Sequence, residues 1–140
     1  MNLTTRLIAA ALVAAAATPV FAHDAALPGS DTLPKEIVGI SGVVPAMGEH
    51  WANPATLPLG PIYGVHNGKL IFFEYMIAKE DFESGKSFVN LAAHPAGVEL
   101  PQVDHTDIEF QPNGHEGFEV PHYDIHMYFI SHDEHMAITP

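Results

Sequence analysis

Apolar and polar positions in this chain alternate in short blocks punctuated by glycine and proline, which is the rhythm of a β protein. The clearest pair of blocks is Ile62 to His66 and Lys69 to Ile77, separated by Asn67-Gly68. An Asn-Gly pair between two β-rich runs calls for a tight turn with both residues at positive φ, so a hairpin is predicted. In its second arm a period of two puts Ile71, Phe73, Tyr75 and Ile77 on one face, and Leu70, Phe72, Glu74 and Met76 on the other. Glu74 thus falls among apolar neighbours, where a carboxylate must be paired or carry a raised pKa.

The other blocks are shorter. Glu36 to Val44 reads as a first strand, and Val103 to Phe110 as a strand with an acidic outer face. Phe88 to Leu91 reads as a minor strand. The longest unbroken strand-like run is Pro121 to Ile130, which carries His122, Asp124 and His126. Ala78 to Gly85 is the one short helix, ended by its glycine. Pro45 to Pro54 reads as a loop that sets the only tryptophan, Trp51, beside His50 and Glu49. These elements predict a mainly β single domain over residues 36–140, a sandwich or barrel-like antiparallel sheet.

The start of the chain is different in kind. Arg6, an apolar Ala-rich stretch from Leu7 to Ala17, Pro19 and the small-residue end Val20-Phe21-Ala22 have the form of a signal peptide over residues 1–22. An exported protein, periplasmic or secreted, is expected, with no membrane association after cleavage. Residues 23–35 read as an extended N-terminal arm.

Composition narrows the chemistry. There is no cysteine, so thiolate metal sites, thiol nucleophiles and disulfides are all excluded. Seventeen acidic residues against five basic ones give a formal charge of −12, which repels phosphate backbones and argues against nucleic acid as a partner. Ten histidines are the outlier, and they raise the question of whether they cluster. No G-x-S-x-G elbow, phosphate loop or H-E-x-x-H pair is present.

The candidate ligand-type residues are His50, Glu74, His122, Asp124 and His126. Trp51, Tyr75, Tyr128, His132 and His135 are weaker candidates. Imidazole and carboxylate without thiolate suit a divalent Zn, Cu, Ni or Fe ion. Strand spacing constrains the set. His122 and His126 have Cα atoms about 13 Å apart in a regular strand, and one ion near 2 Å from each donor would have to lie between two fully stretched rings. Either histidine can therefore pair with Asp124, but the two scarcely meet at one ion. Three readings stay open: a metal or small-molecule binding module, a small metal-assisted or His-based enzyme, and a structural polar ladder in an oligomer with pH-sensitive histidines.

Met47-Gly48-Glu49-His50-Trp51-Ala52-Asn53-Pro54, Gly60-Pro61-Ile62-Tyr63, Asn67-Gly68-Lys69, Glu74-Tyr75-Met76 and Pro121-His122-Tyr123-Asp124-Ile125-His126 together carry a resemblance. The chain resembles a family of small exported bacterial domains of unassigned reaction, one thermophile member of which is a homo-oligomer under extracytoplasmic sigma-factor control. The resemblance spans most of Val44 to Ser131. It implies self-association, and it brings His50, Glu74, His122 and His126 together as a set. It implies no particular metal.

Overall fold

The computed structural model describes residues 26–92 and 94–140. The expected leader and His23 lie outside the described residues. Six strands form one antiparallel sheet: β1 (Val38–Gly39), β2 (Glu49–Ala52), β3 (Ile62–His66), β4 (Lys69–Ala78), β5 (His105–Gln111) and β6 (His122–Tyr128). Two short helices, α1 (Lys79–Glu83) and α2 (His132–Met136), complete the fold. The mainly β, antiparallel expectation holds.

The sheet order is β1-β2-β3-β4-β6-β5. The long connection after α1 lets the chain run out to the far edge as β5, and β6 then returns between β5 and β4. β6 is thereby paired on both sides, with Glu74 directly opposite His126 on one flank and Asp107 opposite it on the other. The sheet is open rather than barrel-like, because β1 offers only two paired residues at its edge.

The hairpin forms as its turn chemistry requires, with Asn67 at φ 49° and Gly68 at φ 71°. Its pleat has one irregularity. Gly64 pairs with Phe72 and Val65 with Leu70, so Ile71 is an extra residue on β4. The predicted faces therefore hold from Phe72 to Ile77 and invert before the bulge. Leu70 packs with Tyr63, Val65 and Phe129, whereas Ile71 joins Phe72 and Tyr128.

Other expectations need correction. The predicted loop around Trp51 is strand β2 at its centre, because Glu49 to Ala52 finds a ladder partner in β3. The first strand shrinks to two residues, and Phe88 to Leu91 pairs with nothing among the described residues. The tail is a second helix. Ser131 caps it, and Glu134 reaches back to the Ser131 backbone N–H in a reciprocal capping box. The N-terminal arm is not free either: Leu27 and Leu33 pack on the core, and Leu70 N–H donates to the Pro28 carbonyl.

The two faces of the sheet differ in kind. One holds the main apolar core around Ile37, Tyr63, Leu70 and Phe129. The other begins apolar at Ala52, Ile62 and Met76 and becomes ionisable across β6 and β5.

Candidate metal centres

Period-two alternation on β6 turns His122, Asp124, His126 and Tyr128 to this second face, and all four are buried at 2 % exposure or less. β5 points the same way: His105 pairs with Tyr128, Asp107 with His126 and Glu109 with Asp124. Its polar face is therefore the inner one, while Ile108 and Phe110 are exposed, the reverse of the sequence expectation. An amphipathic pattern gives the two faces of a strand but not which one is covered. Here the polar face is chosen because β6 already carries imidazole and carboxylate partners.

Seven of the ten histidines gather along this face in three groups with carboxylates. His50, Glu74 and His126 form the central group. His115, His122 and Asp124 form the second, and His105, Asp107, His132 and His135 the third. Within each group the donor atoms lie within 4.8 Å of one another. His122 and His126 thus fall in different groups, as the strand-spacing argument requires. Asp124 stands between them.

The central group draws one ligand from each of three strands. Glu74 Oε2 is 3.6 Å from His126 Nε2 and 3.8 Å from His50 Nε2. Two donors held near 2.1 Å from one ion at the tetrahedral angle sit about 3.4 Å apart, so these separations are those of a ligand shell rather than of direct hydrogen bonds. Gly64 lies between His50 and Phe72 in the pairing register, and a Cβ there would come within 2.0 Å of the Phe72 ring. The missing side chain lets Phe72 lie edge-on to both His50 and His126, at centroid distances of 5.5 and 4.9 Å.

The outer nitrogens of the rings are held as well. Ser41 Oγ donates to the Gly42 carbonyl, which leaves its oxygen to accept from His50 Nδ1 at 3.3 Å. His126 Nδ1 faces Glu109 Oε2 at 3.4 Å. Both rings then present Nε2 to Glu74, which is the carboxylate–imidazole–metal arrangement that fixes the tautomer of a ligating histidine.

Electrostatics follow from burial. Desolvation pushes the Glu74 carboxyl up to about 8, against a downward pull from His126 and with a further upward push from Asp124, which also hydrogen-bonds to it. Desolvation, aided by the His126 charge, lowers His50 to about 4. Desolvation also pulls His126 down, but Glu109, Glu74 and Asp124 outweigh it, and the net shift is upward. Glu109 is lowered by its interaction with His126. Even so, Glu74 Oε2, Asp124 Oδ1 and both ring nitrogens of His126 are buried without a hydrogen-bond partner of normal geometry. Buried polar atoms are rarely left so, and four together mark a place where a cation fits.

In the second group His122 Nδ1 lies 2.7 Å from the Val120 carbonyl and His115 Nδ1 lies 3.0 Å from that of Glu116. A carbonyl only accepts, so both Nδ1 atoms carry the proton and the two Nε2 atoms face each other 3.1 Å apart. Asp124 Oδ1 is 3.0 Å from the same His122 Nε2. Two lone pairs and a carboxylate oxygen at that range are mutually repulsive unless a proton or metal ion lies among them.

Of the weaker candidates, Trp51 and Tyr75 lie on the opposite face. The Trp51 indole N–H donates to Glu49, and its ring packs on the main core. Tyr128 is on the histidine face, stacked between His126 and His135 with centroids 5.6 and 4.1 Å away. His132 and His135 belong to the third group. Sequence reasoning missed His115, His105, Asp107 and Glu109. For β5 a signal was present, since His105, Asp107 and Glu109 alternate; for His115, in an irregular turn, no local signal exists.

The fold is similar to that of the crystal structure of hypothetical protein TTHB210 from Thermus thermophilus, with a TM-score of 0.59 and 22% identity over 74% of this chain and 94% of that one. At this identity the likeness is one of fold alone. No family model and no curated protein matches the chain.

Proposed function

We propose that this protein binds a divalent metal ion, Zn, Cu, Ni or Fe, through His50, Glu74 and His126, with Ser41 and Glu109 holding the rings. The observation that carries the reading is a pair of buried atoms without hydrogen-bond partners, Glu74 Oε2 and His126 Nε2, facing each other 3.6 Å apart across two strands. The test is elemental analysis of untagged protein beside its His50→Ala and His126→Ala variants. At least one equivalent of metal in the parent and one equivalent fewer in both variants is expected; sub-stoichiometric metal in all three samples, or an equal count in all three, removes the proposal.

Asp124 extends this centre. Through its contact with Glu74 and its place beside His122 and His115, it links the central group to the second. A second ion there would share the carboxylate pair. Exported as its leader-like start implies, the protein would take up its ion outside the cytoplasm.

A small-molecule ligand is a second reading, and one observation favours it. Three protein ligands leave a coordination position open, and the His50 side chain keeps 15% of its surface exposed. The cavity of about 140 Å³ lined by Ile37, Tyr63 and Pro95 is not the entry, since Tyr63 belongs to the opposite face. In cobalt-substituted protein, a small anion such as azide should change the visible spectrum. A spectrum indifferent to added anion means a closed, non-catalytic site.

Self-association is proposed through β5. It is an edge strand whose outward Ile108 and Phe110 are 65% and 43% exposed, and apolar edges of this kind pair with other chains. Ile108→Lys should lower the mass measured by light scattering; an unchanged mass clears β5 of that role.

A further inference from the structure

The third histidine group is separate from the site proposed above and more fully provided with ligands. His105 and Asp107 come from β5, and His132 and His135 from α2, where a spacing of three puts both imidazoles on one side of the helix. His135 is 3% exposed and buried beneath the helix; His132 is at its outer edge.

Ring orientations are set by neighbours that are not themselves ligands. His135 Nδ1 is 3.0 Å from the Ala46 carbonyl, so this nitrogen carries the proton and Nε2 offers a lone pair. His105 Nδ1 is 2.8 Å from Asp104 Oδ1, which sets the same tautomer, and its Nε2 is buried without a hydrogen-bond partner. Both Nε2 atoms turn toward Asp107 Oδ2, at 3.8 and 3.9 Å, and His132 Nδ1 lies 3.1 Å from His135 Nε2. With bonds near 2.1 Å, a 3.1 Å pair subtends about 95° at a common ion, and contraction of the longer pairs by about 0.4 Å brings them close to the tetrahedral value. Three imidazoles and one carboxylate from two elements make a complete four-ligand set, the pattern of structural rather than catalytic sites.

We infer that this group is a second, structural metal site, specific for a tetrahedral divalent ion such as zinc, which fastens the C-terminal helix α2 to the edge strand β5. Without the ion, α2 is held by Ile138 in the core, by both backbone groups of Ala46 and by His135 stacked on Tyr128, and within the helix His132 and His135 share one hydrogen bond. With the ion, the proton between those rings is replaced, and the five-residue helix gains two bonds to a strand that is already fixed in the sheet.

The test uses the untagged full chain, stripped with EDTA and titrated with zinc under native mass spectrometry. It compares the parent with Asp107→Asn, His105→Ala and, as the control for the central site, Glu74→Gln. The near-isosteric Asp107→Asn guards against lost packing, since His105 stacks on Tyr128. Both third-group variants should bind one ion fewer than the parent while the central ion stays. Amide exchange over residues 132–138 should slow at least about tenfold on zinc addition in the parent and in Glu74→Gln, but not in the other two variants. Parent-like stoichiometry in Asp107→Asn and His105→Ala, or exchange in the tail that ignores zinc, overturns the inference. If Glu74→Gln alone keeps the full count, the central reading fails and this one stands.

Discussion

The central and third histidine groups use the same side-chain chemistry on different supports. His50, Glu74 and His126 stand on three strands of one sheet, each fixed by ladder hydrogen bonds before any ion is considered. His132 and His135 stand on a five-residue helix, far shorter than the length at which a helix persists in water by itself. The lesson is one of preorganisation. Where the backbone is already ordered, an ion gains little structure and meets a rigid, partly open site. Where the ligands bridge a fixed strand and a marginal helix, much of the binding free energy goes into ordering the protein.

That contrast can be broken most sharply at Glu74. Glu74→Gln keeps the shape but removes the carboxylate that faces both His50 and His126. Ion affinity at the central site is expected to fall by more than about 100-fold, beyond what loss of a supporting residue costs. Calorimetric titration reads it, and the zinc-dependent protection of α2 should be unaffected.

The next effect is on pH. The Glu74 carboxyl is raised to about 8, so the folded state holds a proton that the unfolded chain releases above the ordinary carboxylate range. Its contribution to stability is complete at low pH and is lost as pH rises toward and through 8. His50, lowered to about 4, acts oppositely: it stabilises above the usual imidazole range and costs stability as pH falls below that range toward 4. Metal-free protein should therefore lose melting temperature between about pH 6.5 and pH 8, and Glu74→Gln should flatten that slope. With zinc bound the slope should reverse, because the ion displaces the Glu74 proton. Melting curves at several pH values, with and without zinc, decide it.

A smaller change is expected from Gly64→Ala. The added methyl drives into the Phe72 ring, and overpacking of this sort costs about 2 kcal/mol. Because Phe72 packs edge-on against both His50 and His126, denaturant unfolding should show the loss and the central affinity should fall, with the third group intact. The mildest change is Ser41→Ala, which frees the outer nitrogen and the backbone N–H of His50 and should weaken the central ion roughly tenfold. If Ser41→Ala weakened both sites equally, the two would not be independent.

Local pattern made much of this legible. The Asn67-Gly68 hairpin, the burial of Glu74, the strand at His122 to Tyr128 and the separation of His122 from His126 all follow from turn chemistry and a rise of about 3.3 Å per residue. The tail does not read as a helix, although the Ser131/Glu134 spacing is that of the capping box that opens α2. Other features have no local cause. Which face of β5 is covered depends on β6, a strand that follows it in the chain and inserts between it and β4.

What the sequence by itself determined is the mainly β class with its hairpin and the strand at His122 to Tyr128, the absence of thiol chemistry and a pool of imidazole and carboxylate groups at alternating positions. Only the tertiary structure decided which of those groups meet. Strand order is chosen by the packing of whole faces, and a one-strand change in that order would bring Glu74, Asp107 or His135 to different partners. The physical reason is that side-chain alternation is encoded residue by residue, whereas the neighbours across a ladder belong to segments distant in sequence. His115, in an irregular turn, became a candidate only when the fold closed the distance between its segment and β6.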